Sequence, residues 1–391
     1  MEPITHLMTG ACLARAGLNR KAAYTTLAMT LAAEAPDLDT LWSVEGPVAS
    51  FQHHRGITHT FVGLPFEGAA LVGAIWLLHR WRLRRAHART AAVPPAPAPD
   101  PMEDQPVPHP LTAAPVRWGL LYGFVLIALL SHILLDWTNN YGVRPFFPFN
   151  PRWYGGSTVF IFEPVIFAAL LIALVAPALF GLISSEVGAH KAAFRGRGWA
   201  IFALVAMLAL WVWRQVEHDA AVRLASIANY GPAGSPAIDV LRVTVSPYPG
   251  NPYRWHTAAE TPDFYQLATA NTLNDTIDTD PEQDMVYKPP TTLANLVAKR
   301  SWLGEVYLDW SSWPIVTDVG PAASFPVPFA TPMAAPPDLT AVTFRDLRFM
   351  YDVSIFSGRR NPPLSGTVYI DLEAPNDRRV AAIEFGGRIQ R

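Results

Sequence analysis

The sequence predicts a mainly α-helical, polytopic membrane protein that ends in a small β-rich domain outside the cytoplasm. Half of the 391 residues are hydrophobic and only 16% are charged, whereas soluble domains average about 25% charged residues. Mean hydropathy is positive, at +0.17. After Trp213 the composition becomes polar and proline-rich. A long apolar part followed by a polar part predicts membrane helices and then a folded domain.

Four apolar runs have about the length that crosses a hydrocarbon core of ~30 Å at ~1.5 Å per helical residue. They are Phe61–His79, Gly119–Trp137, Phe160–Ile183 and Trp199–Trp213. Two shorter runs, Ile4–Ala16 and Ala22–Ala35, precede them. At roughly 20 Å each as helices, the short runs predict a hairpin partly sunk in the membrane.

The basic residues predict the orientation, because cytoplasmic loops are enriched in Lys and Arg. With alternating crossings, three basic clusters fall on one side: Arg15, Arg20 and Lys21; Arg80, Arg82, Arg84, Arg85 and Arg89; and Lys191, Arg195 and Arg197. We therefore expect a multi-pass protein of a bacterial inner membrane. The C-terminal domain is then periplasmic.

Composition divides the chain into four predicted segments. Residues 1–89 hold the hairpin and the first span, 90–115 form a cytoplasmic linker rich in Pro and Ala, 116–228 hold the remaining spans, and 229–391 form the β-rich domain. The linker has too few apolar residues to form a core. Near the C-terminus, Val368, Ile370 and Leu372 alternate with more polar residues, which predicts a strand, and a turn separates it from a second strand over 380–385.

Charge and cysteine content exclude several classes of site. The net charge of −2 gives no support for nucleic-acid binding, which usually needs a basic surface. Cys12 is the only cysteine, so disulfides within the chain and cysteine-based zinc sites are excluded. A metal would need His, Asp or Glu ligands. The lipid bilayer is the expected partner, and the oligomeric state stays open.

The first candidate ligands are Asp37 and Asp39, which follow Pro36. Proline disfavours helical angles in the residue before it. In an extended segment, residues two apart face the same way, so the two carboxylates would point together. The alternative is a helix-ending turn with solvated acids.

A second group is the run His53-His54-Arg55-Gly56-Ile57-Thr58-His59. Gly56 permits a tight turn, which would let His54 and His59 converge. Imidazole is the commonest metal ligand. Three histidines in seven residues at a membrane boundary favour a ligand role over simple packing.

The third group is His132 and Asp136, four residues apart in an apolar helix and therefore on one face. Ionisable groups inside a span are costly and usually functional, although an internal His–Asp pair could simply satisfy itself. Glu163 begins the third span as a candidate ligand, general base or helix N-terminal acid. His6 is a further candidate, or an interfacial residue.

Topology places all these groups on one side of the membrane, opposite the basic clusters. The orientation was derived from Lys and Arg residues alone, so the common side of these histidines and acids is independent support for a shared metal site. The expected metal ligands are His6, Asp37, His54, His59, His132 and Asp136.

These motifs resemble the YdjM-type inner-membrane proteins, a family whose members are predicted to be metal-dependent hydrolases. The resemblance rests on Pro36 to Asp39, His54 to His59, His132 to Asp136 with Tyr141-Gly142, and Phe162-Glu163-Pro164. It covers about the first half of the chain. The family usually has Asp-Pro where this chain has Glu163-Pro164. Trp255 and the run from Thr343 to Phe349 also look similar to the outer domain of some members.

A more distant similarity is to zinc-dependent phospholipase C and the related single-strand nucleases. Their order of an early His, an Asp, further His residues and a His-x-x-x-Asp pair is comparable to His6, Asp37, His54 or His59, His132 and Asp136. The analogy implies phosphoester hydrolysis, although fold-level analogy is weak evidence for a substrate.

The predicted function is metal-assisted hydrolysis of a phospholipid or lipid-linked phosphate at the outer face of the membrane. Mixed N and O ligands suit Zn²⁺ and are compatible with Mn²⁺ or iron. Asp39 or Glu163 would act as general base or bridging ligand, and Arg55 would neutralise a substrate phosphate or orient an acid. The alternatives are a metal-binding membrane protein or transport component without catalysis, and a soluble hydrolase with these runs in its core.

Overall fold

The computed structural model describes residues 1–92, 110–186, 194–230, 238–280, 284–321, 339–352 and 362–390. Most of the predicted linker, together with Lys191, lies outside these residues. The described chain forms two units. Unit 1 holds Met1–Leu38, Arg55–Gly156 and Phe160–Val212, and unit 2 holds Asp39–His54, Ser157–Val159 and Trp213–Arg391.

Unit 1 is helical, and its first two helices form the predicted hairpin. The helices are α1 (Pro3–Arg15), α2 (Thr25–Ala32), α4 (Gly63–Ala92), α5 (Trp118–Trp137), α6 (Pro164–Glu186) and α7 (Arg197–Ile227), whose last part belongs to unit 2. Helices α1 and α2 pack closely at Gly10, where an added Cβ would come within 2.3 Å of the Met29 carbonyl oxygen. Small residues at such positions let helix backbones approach each other.

Three described helices are long and apolar enough to cross a membrane, namely those holding Trp118–Trp137, Pro164–Gly181 and Arg197–Ile227. The predicted first span, Phe61–His79, lies in α4, which passes this test only when it is joined with the bent segment before it. The reason is the polar C-terminal half of α4, which carries five arginines between Arg80 and Arg89. Large apolar side chains such as Phe202 and Val212 are about 60% or more exposed, as lipid-facing residues would be.

The core of unit 1 lies between α2, α4 and α5. Ala28 and Ala32 of α2 and Val125, Ala128 and Leu129 of α5 are completely buried there. The N-terminus of α4 follows Thr60, whose hydroxyl accepts a hydrogen bond from Gly63 N at 3.0 Å. Thr60 therefore caps the first turn of α4.

Unit 2 contains two antiparallel five-stranded sheets. The first has β1 (Arg242–Pro247), β2 (Arg254–Glu260), β3 (Phe264–Asn271), β4 (Thr276–Asp278) and β5 (Met285–Tyr287), in the order β1-β2-β3-β4 with β5 also on β3. The second has β6 (Pro314–Pro321), β7 (Leu339–Asp346), β8 (Gly366–Asp371), β9 (Val380–Phe385) and β10 (Arg388–Gln390), in sequence order. The unit also holds α3 (Pro47–His53), α8 (Leu293–Lys299) and α9 (Trp302–Trp310).

The predicted strands near the C-terminus are confirmed as β8 and β9, which pair with each other. Tyr369 of β8 is buried together with its neighbours Val368 and Ile370. Its hydroxyl donates to Glu384 at 2.8 Å. Of the residues that the structure describes, 51% are helical and 19% lie in strands, so a helical membrane half and a β-sheet domain describe them better than a mainly α fold.

Candidate metal centre

Helix α5 carries His132 and Asp136 in its last two turns, and both side chains are completely buried. Their spacing of four residues brings His132 Nε2 to 3.5 Å from Asp136 Oδ2, as the sequence predicts. Two buried ionisable groups in one apolar helix are costly unless they find partners. Those partners come from the segments that follow α2 and precede α4.

Four side chains from three segments converge at one point. A ligand atom from each of Asp37, His59, His132 and Asp136 lies within 4.8 Å of the other three. His59 belongs to a short 3₁₀ helix, Ile57–His59, and Asp37 to a longer one, Ala35–Glu45. The expectation of an extended backbone at Asp37 and Asp39 was wrong, since the 3₁₀ helix continues through both. Asp37 nevertheless reaches the cluster.

The spacing of these atoms fits a small divalent cation. His59 Nε2 lies 3.0 Å from His132 Nε2 and 3.3 Å from Asp37 Oδ1. The other imidazole–carboxylate distances are 3.5 to 3.6 Å. Four N and O ligands at ~2.0–2.1 Å from a tetrahedral ion would lie ~3.3 Å from one another.

The tautomer of His132 is fixed by a backbone carbonyl. His132 Nδ1 lies 2.7 Å from the Ala33 carbonyl oxygen, which can only accept, so Nδ1 carries the hydrogen. In the neutral ring, Nε2 then presents a lone pair toward His59 and the carboxylates. Metal-binding histidines commonly use their second nitrogen in this way.

The two oxygens of Asp136 have different surroundings. Oδ1 accepts a hydrogen bond from Arg55 at 2.7 Å and contacts the Met1 amino group. Oδ2 is buried and, among the described residues, accepts no hydrogen bond. Buried carboxylate oxygens are normally satisfied, and this one faces the two imidazoles. A cation bound at that point would satisfy this oxygen.

Arg55 is a fixed part of the site's frame. Its backbone has a φ of 54°, an uncommon conformation for a non-glycine residue. Its guanidinium donates to Asp136 and to the Gly142 carbonyl oxygen, at 2.7 Å each, and lies over the Tyr141 ring. Of the two roles predicted for Arg55, these contacts match the orientation of an acid.

The loop after α5 supports Arg55. Asn139 Oδ1 accepts hydrogen bonds from the backbone of Tyr141 and Gly142, at 2.9 and 3.3 Å, and from Arg55 at 3.3 Å. Gly142 has a φ of 85°, which favours glycine. We did not predict the role of Asn139. The polar run Thr138-Asn139-Asn140 directly after a ligand-bearing helix was the available signal.

His6 lies against the cluster without being one of its four donors. Its ring stacks on His132 with centroids 3.9 Å apart, and its Nε2 lies 3.3 Å from Asp136 Oδ1. Burial, followed by the neighbouring N-terminal ammonium, lowers the pKa of His6 to about 3. The imidazole is therefore neutral at physiological pH, the form that binds metals.

Asp37 is the most accessible donor, with 12% of its side chain exposed, whereas the other three are fully buried. Burial tends to raise the pKa of Asp37, but contacts with His132 and His59 outweigh it and hold the pKa below its usual value. Nearby Glu34 was not predicted. Burial, followed by the charge of Asp37, raises the pKa of Glu34 to about 7.

Three predicted residues are not among the four converging donors. Asp39 and His54 belong to unit 2, where His54 Nδ1 lies 3.0 Å from Asp39 Oδ1. Glu163 is fully buried directly before α6 and is not one of the four converging donors. A ligand role for His54 and a catalytic role for Asp39 or Glu163 stay predictions.

The helices and the buried donors define a membrane protein with a cluster that could bind a metal ion. The model of the YdjM inner membrane protein family matches residues 1–221, which is more than half of the chain and includes every residue of the cluster. The chain belongs to this family, and the resemblance inferred from the motifs is confirmed.

A curated relative is similar over part of its length. The chain is 22% identical over 182 residues to the uncharacterized protein YfhP of Bacillus subtilis (strain 168). The alignment covers 44% of this chain and 45% of that protein, so the chain spans less than half the length of this relative. No solved structure matches the chain.

Proposed function

We propose that the chain is a membrane-embedded, metal-dependent hydrolase that acts on a phosphoester at the outer face of the inner membrane. The observation that carries the proposal is the convergence of His59 Nε2, His132 Nε2 and the unsatisfied Oδ2 of Asp136. The two nitrogens are 3.0 Å apart, and among the described residues that oxygen has no hydrogen-bond partner. A bound cation would account for all three atoms together.

The donor set fits Zn²⁺ and is compatible with Mn²⁺ or iron, because it combines two imidazoles with two carboxylates. Asp37, His59, His132 and Asp136 would hold the ion. When bound, it supplies Lewis-acid activation of water and of a phosphoryl or acyl oxygen. Arg55 holds Asp136 in place, and the Ala33 carbonyl holds His132.

The accessible side of the cluster supports a site for chemistry. Asp37 and the partly buried Glu34 lie toward solvent, whereas His59 and His132 are fully enclosed. A substrate would therefore approach past these carboxylates. Glu34, Asp39 and Glu163 are the candidates for the carboxylate that accepts a proton.

The position of the cluster supports a lipid substrate. His132 and Asp136 occupy the last two turns of α5, and Trp137 ends the helix. The end of a spanning helix lies near the lipid headgroups. A phospholipid or lipid-linked phosphate would present its phosphoester at that depth. The periplasmic location of this end, and of unit 2, rests on the positions of the basic clusters.

A metal-binding or transport protein without catalysis is the second candidate. A transporter would place polar groups through the depth of the membrane. In α5, by contrast, Leu121, Val125, Ala128 and Leu129 fill the buried face before His132. Polar groups at one end only favour hydrolysis over transport.

The test uses full-length protein purified in detergent. Elemental analysis gives the metal content, and hydrolysis is measured on bis(p-nitrophenyl) phosphate and on phospholipids with and without chelator. We expect about one or more divalent ions per chain and chelator-sensitive phosphodiester release. Bound metal without turnover on any phosphoester would favour the second candidate, and absence of metal would overturn both.

The proton-accepting carboxylate is identified with the variants Glu34→Gln, Asp39→Asn and Glu163→Gln. Loss of a general base typically costs ~10²–10⁴-fold in rate, whereas loss of a ligand also lowers metal content. The base is the residue whose amide variant keeps the metal and loses turnover. If all three variants keep full turnover, none of them is the base.

A further inference from the structure

A cavity with both polar and apolar walls lies in unit 1, at the opposite end of α1 from the metal cluster. It has a volume of about 550 Å³, and its wall includes Arg15, Asn19, Thr30, Pro177 and Arg195. His6 and Arg15 are nine residues apart on α1, or ~14 Å at 1.5 Å per residue. The cavity is therefore separate from the metal cluster.

Two guanidinium groups of the wall have no carboxylate partner among the residues that the structure describes. Arg15 is partly buried at the end of α1 and donates to the Leu174 carbonyl oxygen of α6 at 3.0 Å. Arg195 is also partly buried, and its guanidinium lies against Gly181, where an added Cβ would come within 2.2 Å of Nη1. Two such cations favour an anionic ligand.

Asn19 adds a requirement for a hydrogen-bond donor. Its Oδ1 is buried and, in the described part of the chain, has no hydrogen-bond partner. A ligand that satisfies both arginines and Asn19 must carry an anionic group and also an N–H or O–H group. The headgroups of common anionic phospholipids carry hydroxyls, and inorganic phosphate at neutral pH also keeps an O–H, so Asn19 does not separate these two ligands.

The rest of the wall combines apolar side chains with threonines and lies beside membrane helices. Leu27, Leu111 and Pro177 line the cavity, and Pro177 lies four residues before the end of the apolar segment Pro164–Gly181. The cavity thus lies where a span meets the headgroup layer. Basic pockets between spans at that level are typical sites for anionic headgroups.

We propose that this cavity binds the phosphate headgroup of an anionic glycerophospholipid. Arg15 and Arg195 bind the phosphate, Asn19 accepts a hydrogen bond from a headgroup hydroxyl, and the apolar wall contacts the glycerol and upper acyl chain. The basic clusters place the cavity in the cytoplasmic leaflet, on the side opposite the metal cluster. The proposal does not depend on hydrolase activity.

The test measures lipid binding to full-length, delipidated protein in detergent by native mass spectrometry. Phosphatidylglycerol, phosphatidylcholine and inorganic phosphate are compared as ligands. We expect one retained phosphatidylglycerol per chain, weaker phosphatidylcholine binding and no competition by inorganic phosphate. Equal binding of the two lipids, or displacement by inorganic phosphate, would overturn the proposal of a lipid-headgroup site.

The decisive variant is Arg15→Gln combined with Arg195→Gln. At about a fivefold loss for each basic residue, it should weaken phosphatidylglycerol binding roughly 30-fold. Arg84→Gln, an exposed position on α4, is the matched control and should bind as the unchanged protein does. Wild-type affinity in the double variant would rule the proposal out.

Because Arg15 also contacts the Leu174 carbonyl, the double variant could fold poorly. Asn19→Leu removes the acceptor and leaves both arginines in place. Its metal content should equal that of the unchanged protein, which reports a folded unit 1, while its preference for phosphatidylglycerol over phosphatidylcholine should fall. An undiminished preference would contradict the role of Asn19 and with it the proposed headgroup site.

Discussion

Each unit contains a buried Asp–Arg pair, and the two pairs differ in one respect. In unit 2, Asp346 Oδ1 accepts hydrogen bonds from Arg348 N and Nε, and Oδ2 accepts from Arg348 Nη2 at 2.7 Å and from Ser311. In unit 1, Arg55 satisfies only one oxygen of Asp136.

The comparison teaches how to separate a structural ion pair from a binding site. Both carboxylates are essentially inaccessible to solvent, so burial alone does not distinguish them. The Asp346 pair is complete without a ligand, and Arg348 also lies over the Trp310 ring. The Asp136 pair leaves one oxygen directed at two imidazoles, where a bound cation would complete it.

The largest effect is expected from variants of His132 and Asp136, which lie where the incomplete pair faces the proposed metal. His132→Ala and Asp136→Asn should each remove most of the bound metal and lower turnover more than ~100-fold, beyond the usual effect of a supporting residue. Metal per chain and chelator-sensitive hydrolysis are measured together. His87→Ala, at an exposed position on α4, is the control. Unchanged metal content in both variants would show that His132 and Asp136 do not bind the metal.

The second-largest effect is expected when Arg55, the arginine of the incomplete pair, is changed. Arg55→Lys keeps the charge but loses the fork that joins Asp136 to the Gly142 carbonyl. Metal affinity should fall ~10–100-fold, measured by competition with a chelator of known affinity. Arg82→Lys on α4 serves as the matched substitution. If Arg55→Lys left metal affinity unchanged and lowered only turnover, Arg55 would instead act on the substrate.

The third expected effect concerns the complete pair. Asp346→Ala leaves Arg348 buried without its partner, which typically costs ~3–5 kcal/mol. Thermal unfolding should show this loss, while metal content stays at its normal level. A loss of metal together with normal unfolding would reverse the assignment of roles to the two pairs.

The smallest expected effect is the pH dependence of the complete pair. Burial tends to raise the pKa of Asp346, but Arg348 and Ser311 outweigh it and lower the pKa below its usual value. A depressed folded-state pKa contributes stability above the unfolded value, about 3.9, and that contribution is lost as the pH falls through the folded value. The Tm advantage of the unchanged protein over Asp346→Asn should thus shrink as the pH falls below about 4. An advantage that grows there would contradict the depressed pKa.

Much of the site could be predicted because its residues carry local signals. His132 and Asp136 stand out as ionisable residues four apart in an apolar helix, and His59 stands in a histidine-rich turn. The bent entry to α4 and the 3₁₀ backbone at Asp37 were not predicted, because short irregular segments take their conformation from tertiary contacts. For the same reason Asn139, Glu34 and the Ala33 carbonyl were missed.

The sequence by itself determined the membrane helices, the β-sheet domain and the residue types that can hold a metal, because hydrophobic length and residue chemistry are local properties. Only the tertiary structure decided which donors meet. Asp37, His59 and His132 are far apart in the chain, and their convergence depends on how α2 and α4 pack on α5. The tertiary structure also decided that one oxygen of Asp136 accepts no hydrogen bond whereas both oxygens of Asp346 do. The reason is that the partners of a buried polar atom depend on every neighbour in space.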